Sequence, residues 1–130
     1  MIEFHLDARS GVPTYLQIVQ QVQQAVRLGI LQPGDQLPTV KDVVGSLAIN
    51  PNTVLKAYRE LDLGGLVEGR RGQGTFVSAD LPPIPPDGVK ALRASLLRWI
   101  ENARAAGLDE ESMAALFADT VRPPASWRAA

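Results

Sequence analysis

The sequence predicts a mostly α-helical chain with a small β-hairpin: a winged helix-turn-helix followed by a two-helix C-terminal dimerisation element. Three observations predict it. Apolar residues recur at helical spacing in the order helix, short helix, tight turn, short helix. Two short β-type runs then flank a basic, glycine-containing turn. A proline-rich joint, Leu81-Pro82-Pro83-Ile84-Pro85-Pro86, separates these elements from two further amphipathic segments. Four prolines in six residues cannot continue a helix or a central strand, and they favour an extended, semi-rigid spacer. The expected organisation is therefore a winged helix-turn-helix domain over 1–80, a linker over 81–86, the helical pair over 87–122 and a loose tail over 123–130 that includes Trp127.

The first helix is expected over residues 13–28. Tyr15, Leu16, Ile18, Val19, Val22, Ala25 and Val26 form one broad apolar stripe. Gln17, Gln20, Gln21, Gln24 and Arg27 fill the other face, read as a solvated one. Pro13 suits a first turn and Gly29 a C-terminal cap. Residues 32–38 carry turn chemistry, with Pro33-Gly34-Asp35 giving a tight reversal. Thr39 fits the N-cap of a short helix ending near Leu47, with Val40, Val43, Val44 and Leu47 inward and Lys41 and Asp42 outward. Ala48-Ile49 reads as a tight connector holding one buried apolar residue. Asn50 as N-cap and Pro51 at the first position open the next helix. Val54, Ala57, Tyr58 and Leu61 commit one face to the core, which leaves Asn52, Leu55, Lys56 and Arg59 on the other. Gly64-Gly65 ends it.

Residues 66–69 and 75–77 are the expected strands, with Arg70-Arg71-Gly72-Gln73-Gly74 as the hairpin tip. Past the joint, a long helix over about 87–106 carries Val89, Leu92, Leu96, Trp99, Ile100 and Ala103 along one stripe, and Gly107 stops it. Asp109 then caps a last helix. Leu108 and Met113 are spaced as a hydrophobic staple, and Met113, Leu116, Phe117 and Thr120 line the inner side. Two helices with so much Leu, Trp, Ile, Met and Phe carry more apolar face than each can bury on the other. The surplus calls for a partner surface, and Leu92, Leu96, Trp99, Ile100, Met113, Leu116 and Phe117 are its candidates. The alternative is that these helices fold back over the first helix of the same chain.

Composition narrows the chemistry. The chain has 130 residues, 45% hydrophobic and 21% charged, which describes an ordinary globular protein with one compact domain and an accessory element. No apolar run approaches a membrane span, no basic-plus-apolar leader is read at the start, and a cytoplasmic protein without membrane contact is expected. With no Cys and one His, His5, no disulfide framework, thiolate site or His-rich metal site can be assembled. No cofactor and no metal are expected. A Ser-His-Asp relay would need His5 to meet partners from elsewhere. The 69–74 stretch lacks the Gly-Lys-Ser/Thr ending of a phosphate loop, and Asp109-Glu110-Glu111 is explained by the dipole at a helix start. No catalytic constellation emerges, and an enzyme is not expected.

Net charge is −1, with seven Lys/Arg against eight Asp/Glu up to residue 80 and six against six beyond it. A case for nucleic acid must therefore rest on where charges sit. The helix opened by Asn50 is the one placed to enter a major groove. Asn52 can pair with adenine edges or phosphate, Thr53 can donate to phosphate and present a methyl group, and Lys56 can take guanine or phosphate. Leu55 can meet thymine methyls or be ordinary surface. The helix starts at Thr39 and Asn50 add unpaired N–H groups for phosphate. Arg70 and Arg71, with Gly72 and Gln73 at the tip, can reach the backbone or an adjacent minor groove. The competing reading is a winged-helix module used for protein contact only.

The stretch from Pro13 to Val77 resembles the DNA-binding domain of the GntR family of bacterial transcription regulators. The resemblance rests on Gly29-Ile-Leu-Gln-Pro-Gly-Asp-Gln-Leu-Pro-Thr39, Asn50-Pro-Asn-Thr-Val54, Gly64-Gly-Leu-Val67 and Arg71-Gly-Gln-Gly-Thr-Phe-Val77. Pro13-Thr-Tyr-Leu-Gln-Ile18 and the short C-terminal part resemble the YtrA-type branch, which lacks a large effector domain. The resemblance implies a homodimeric repressor that binds double-stranded DNA, commonly controlling a neighbouring transporter operon. It implies DNA contacts at Lys41, Asn52, Thr53, Arg71 and Gly72. Some branches carry Arg where this chain has Pro51 and Leu55, so fewer bidentate base contacts are available here. A small-molecule effector is compatible with this plan, but no residue set identifies one.

Overall fold

The computed structural model describes residues 2–82 and 86–123. The expected linker lies in part, and the tail from residue 124 onward wholly, outside the described residues. The elements run α1 (Thr14–Arg27), α2 (Val40–Leu47), α3 (Pro51–Leu63), β1 (Val67–Arg70), β2 (Gly74–Val77), α4 (Pro86–Ala105) and α5 (Glu110–Val121). They fall into two compact units, one up to Pro86 and one from Asp87. The mostly helical class with one hairpin is as expected.

In the N-terminal unit α1 and α2 both pack against α3. Ile18 and Val22 of α1, Val54 and Ala57 of α3, Leu37 and Val77 are all fully buried. Val40, Val44 and Leu47 of α2 pack half-buried around Val43. Ile49, expected to be buried, is half-buried at the edge of this core. The side-chain spacing that the sequence shows is what makes this closure work, because each helix turns one continuous apolar stripe inward.

Glycine ends the helices where the sequence places it. Gly29, Gly65 and Gly107 all take positive φ, and the next residue's N–H donates back into the helix, to Ala25, Leu61 and Ala103 respectively. A left-handed residue at this position reverses the chain and occupies carbonyls the helix leaves open.

The glutamine face of α1 differs from expectation. Gln17 is buried, not solvated: its side-chain oxygen accepts from Asp7 N (2.8 Å), and its Nε2 donates to Asp7 O, Val12 O and Ser10 Oγ. Gln21 clamps the backbone N–H and C=O of His5. The two amides fasten the N-terminal segment along α1, which seats Phe4 in the core. A buried amide is tolerated because its hydrogen-bonding capacity is met.

β1 and β2 pair antiparallel with Val67 opposite Val77 and Arg70 opposite Gly74. Arg70 therefore belongs to β1, and Leu66 precedes it. The turn region before α2 is more than a reversal. Leu37 N donates to Thr75 O and Val77 N to Asp35 O, so this segment flanks β2 on its other side.

The C-terminal unit is built differently. Asp109 caps α5, its carboxylate accepting from Ser112 N at 2.8 Å. Hydrogen bonds from Ser112 hold the Asp109 carboxyl below the usual carboxylate range. Among the described residues of this unit, Ala103 and Met113 are the buried apolar side chains. No helix of the described residues is long and apolar enough to cross a membrane.

Candidate nucleic-acid interface

The helix-turn-helix is set by two side-chain caps and one strained residue. Thr39 Oγ1 accepts from Asp42 N at 3.1 Å, and Asn50 Oδ1 accepts from Asn52 N at 2.8 Å. Between the helices Ala48 sits at φ 54°, ψ 45°, and its N–H donates to Val44 O. A left-handed alanine costs roughly 1–2 kcal/mol, which the packing on either side must offset. The core side of α3 adds a further tie. Tyr58 OH donates to Pro38 O at 2.6 Å, linking α3 to the residue just before Thr39. Burial, with Asp42 nearby, pushes the Tyr58 hydroxyl well above its ordinary pKa, so it stays a donor.

The outward side of α3 carries Asn52, Leu55, Lys56 and Arg59, all exposed, with Thr53 half-buried. Lys56 does not stand free: its Nζ lies 4.0 Å from the centre of the Tyr15 ring, drawn toward α1 by a cation–π contact. Asn50 has its side-chain oxygen committed to the cap, which leaves its amide N–H groups as donors. Lys41 is exposed in the first turn of α2.

At the wing, Thr39 and residues 69–75 line one open groove. This brings Thr39, Arg70, Arg71, Gly72 and Gln73 together, whereas Asn50 caps α3 and Asn52, Thr53 and Lys56 occupy its first two turns. Arg71 has no ion-pair partner among the described residues. Arg70 lies back along the hairpin instead of projecting from the tip. Its guanidinium donates to Glu68 at 3.0 Å and sits 4.3 Å from the Phe76 ring centre.

Gln36 is a residue that sequence reasoning missed. Its Nε2 donates to Gln73 O at 3.2 Å, and a Cβ on Gly74 would come within 2.8 Å of that nitrogen. Gly74 also holds φ +126°, a backbone conformation that favours glycine, and a side chain there would push the Gln36 amide off its brace. The spacing of Gln36 from the wing, 37 residues, gives no local signal of this brace.

On the C-terminal unit Leu92, Leu96, Leu97, Leu116, Phe117 and Val121 are exposed, and Trp99 and Ile100 half-buried. Met113, expected at an interface, is buried within its own unit instead, near the α4–α5 turn. Leu97 and Val121 belong to the exposed apolar set and were not anticipated. Leu96, Trp99, Leu116, Phe117 and Thr120 line one groove between the two helices.

This arrangement is that of a known regulator family. Residues 14–77 match the family described as bacterial regulatory proteins, gntR family. The HTH-type transcriptional repressor YtrA of Bacillus subtilis (strain 168) is 38% identical over 109 residues, spanning 83% of this chain and 84% of the relative. The chain belongs to the GntR family. Its similarity to a short regulator of this family thus extends beyond the winged helix-turn-helix. A solved structure of YtrA from Sulfolobus acidocaldarius, a GntR-family transcription factor, matches 75% of this chain and 97% of its own at 28% identity and TM-score 0.56. A solved AraR DNA-binding domain in complex with operator ORR3 matches 59% of this chain and 93% of its own at 25% identity and TM-score 0.50. The family is one of transcription regulators and not of enzymes. Among the described residues no cluster of His, Asp or Glu could hold a metal ion.

Proposed function

We propose that this GntR-family regulator works as a cytoplasmic homodimeric repressor on an inverted-repeat operator. Each α3 enters a major groove, about one helical turn from its twin. One observation carries the reading. α3 buries Val54, Ala57, Tyr58 and Leu61 and keeps Asn52, Leu55, Lys56 and Arg59 exposed beside a wing whose Arg71 has no ion-pair partner among the described residues. Asn52 and Thr53 would read or anchor at the start of α3. Lys41, Thr39 and Asn50 would hold phosphates at the helix starts, and Lys56 would do so after leaving Tyr15. Arg71, Gly72 and Gln73 would place the wing tip on the backbone. The AraR complex supports this placement by likeness of fold, since that protein is bound to its operator.

The apolar faces of α4 and α5 support the dimer. Leu92, Leu96, Leu97, Leu116, Phe117 and Val121 are all exposed on this helical pair, and Leu96, Leu116 and Phe117 share one groove with Trp99, apolar surface of the kind that a partner covers. Control of a neighbouring transporter operon rests on the family resemblance alone. The testing experiment is selection of bound duplexes from a random pool, followed by titration in salt. The reading expects a twofold-symmetric preferred sequence and binding that weakens steeply between 50 and 200 mM salt, as neutralisation of about 6–10 phosphates requires. Binding that is flat in salt would instead favour a protein partner.

A further inference from the structure

The two wing arginines are adjacent in sequence but in different states, and the hairpin register explains why. Glu68, two residues before Arg70 on β1, shares its face of the strand, and Phe76 is the residue directly opposite Glu68. The Arg70 guanidinium is thus laid between a carboxylate on its own strand and a ring on the next. Arg71 falls in the turn, on no strand face. Both members of the Glu68–Arg70 pair stay substantially exposed, at 47% and 41%. A phosphate can therefore reach the guanidinium, but it must compete with Glu68.

The geometry points to Glu68 as an affinity-setting residue: it holds Arg70 on the hairpin as an internal substitute for phosphate, and Arg71 alone serves as the wing's resting backbone contact. Glu68 acts on DNA through Arg70 and is a positioning residue. This deepens the DNA-binding reading above and rests on it. An exposed ion pair is weak, so the setting is fine-grained: releasing Arg70 gains about two- to five-fold in affinity.

The test uses the full chain and a labelled duplex of random sequence, with affinity measured from low to moderate salt. Glu68→Gln should tighten binding about two- to five-fold and steepen the plot of log affinity against log salt by about 0.9, the increment of one more neutralised phosphate. Arg70→Met, which keeps an unbranched apolar cover over Phe76, should change little in the native background. It should cancel most of the gain when combined with Glu68→Gln. Thermal melting of each variant checks that the wing is intact. Two results would overturn the proposal: Glu68→Gln tightening binding equally in the Arg70→Met background, which is plain charge repulsion, or Arg70→Met alone weakening binding as much as Arg71→Ala. Native protein that shows no salt-dependent duplex binding would sink the DNA reading and this proposal together. Native binding with either overturning result sinks this proposal alone.

Discussion

The two units of this molecule spend their apolar residues in opposite ways. In the N-terminal unit Ile18, Val22, Leu37, Val54 and Val77 are fully buried, and the polar groups that enter the interior, Gln17, Ser78 and the Tyr58 hydroxyl, are hydrogen-bonded there. In the C-terminal unit Leu92 is 70% and Phe117 58% exposed, while Ala103 and Met113 supply the buried apolar contacts. A closed core gives a unit that needs nothing further to hold its shape. An open apolar face gives one that is completed by association. In the function proposed above, the first unit would present the reading surface, and the second would set how many such surfaces act together.

The largest expected effect breaks the second half of this contrast. Phe117→Glu places a carboxylate on the open face and should leave the fold of the N-terminal unit intact while separating the dimer. Operator affinity should fall about 10²–10⁴-fold, the advantage that two linked half-site contacts confer. Sedimentation and operator titration on the same samples check it; a variant that stays dimeric with full affinity would remove the interface assignment. The complementary change, Ile18→Ala, opens a hole in the closed core. It should cost about 2–5 kcal/mol in chemical denaturation, independent of protein concentration. A concentration-dependent loss would mean that the first unit also leans on a partner.

How much of this contrast was legible in the sequence follows from its physical scale. Periodic stripes, the Thr39, Asn50 and Asp109 caps and the glycine helix ends depend on residues within one or two turns, and they were read in place. The clamp of Gln17 on Asp7, the Tyr58–Pro38 bond and the Gln36 brace join residues 10, 20 and 37 positions apart, and only the folded chain brings them together. The burial of Met113 within its own unit was hidden for a related reason. A helical stripe shows which side chains are apolar, not which of them its own unit covers. Likewise, the basic run at the wing is visible in the sequence, but the register that ties Arg70 to Glu68 and leaves Arg71 apart is not.

Smaller effects sharpen the picture of the reading surface. Arg71→Ala should weaken binding to operator and to random duplex by similar factors, and flatten the salt dependence by about 0.9, because a phosphate contact carries no sequence information. Parallel titrations on both duplexes check it; loss of operator preference alone would assign Arg71 to base readout. Tyr58→Phe should cost about 1 kcal/mol near neutral pH, where it removes one buried hydrogen bond. The alkaline side gives a cleaner signature. The folded-state pKa of Tyr58 is raised, so above the unfolded value of about 10 the unfolded chain sheds a proton that the folded one keeps. Native stability should thus decline as pH rises past that value, and in Tyr58→Phe this part of the decline should be absent in pH-dependent denaturation.

The proposed function depends most directly on a duplex touching α3 and the wing of the N-terminal unit. Mapping backbone amide resonances during titration with a selected operator duplex tests this in one measurement. The largest shifts should fall at Asn52 and Thr53 in the first turn of α3 and at Arg71, Gly72 and Gln73 on the wing. Shifts confined to the outer face of α1 or to the N-terminal segment, with α3 and the wing silent, would contradict it.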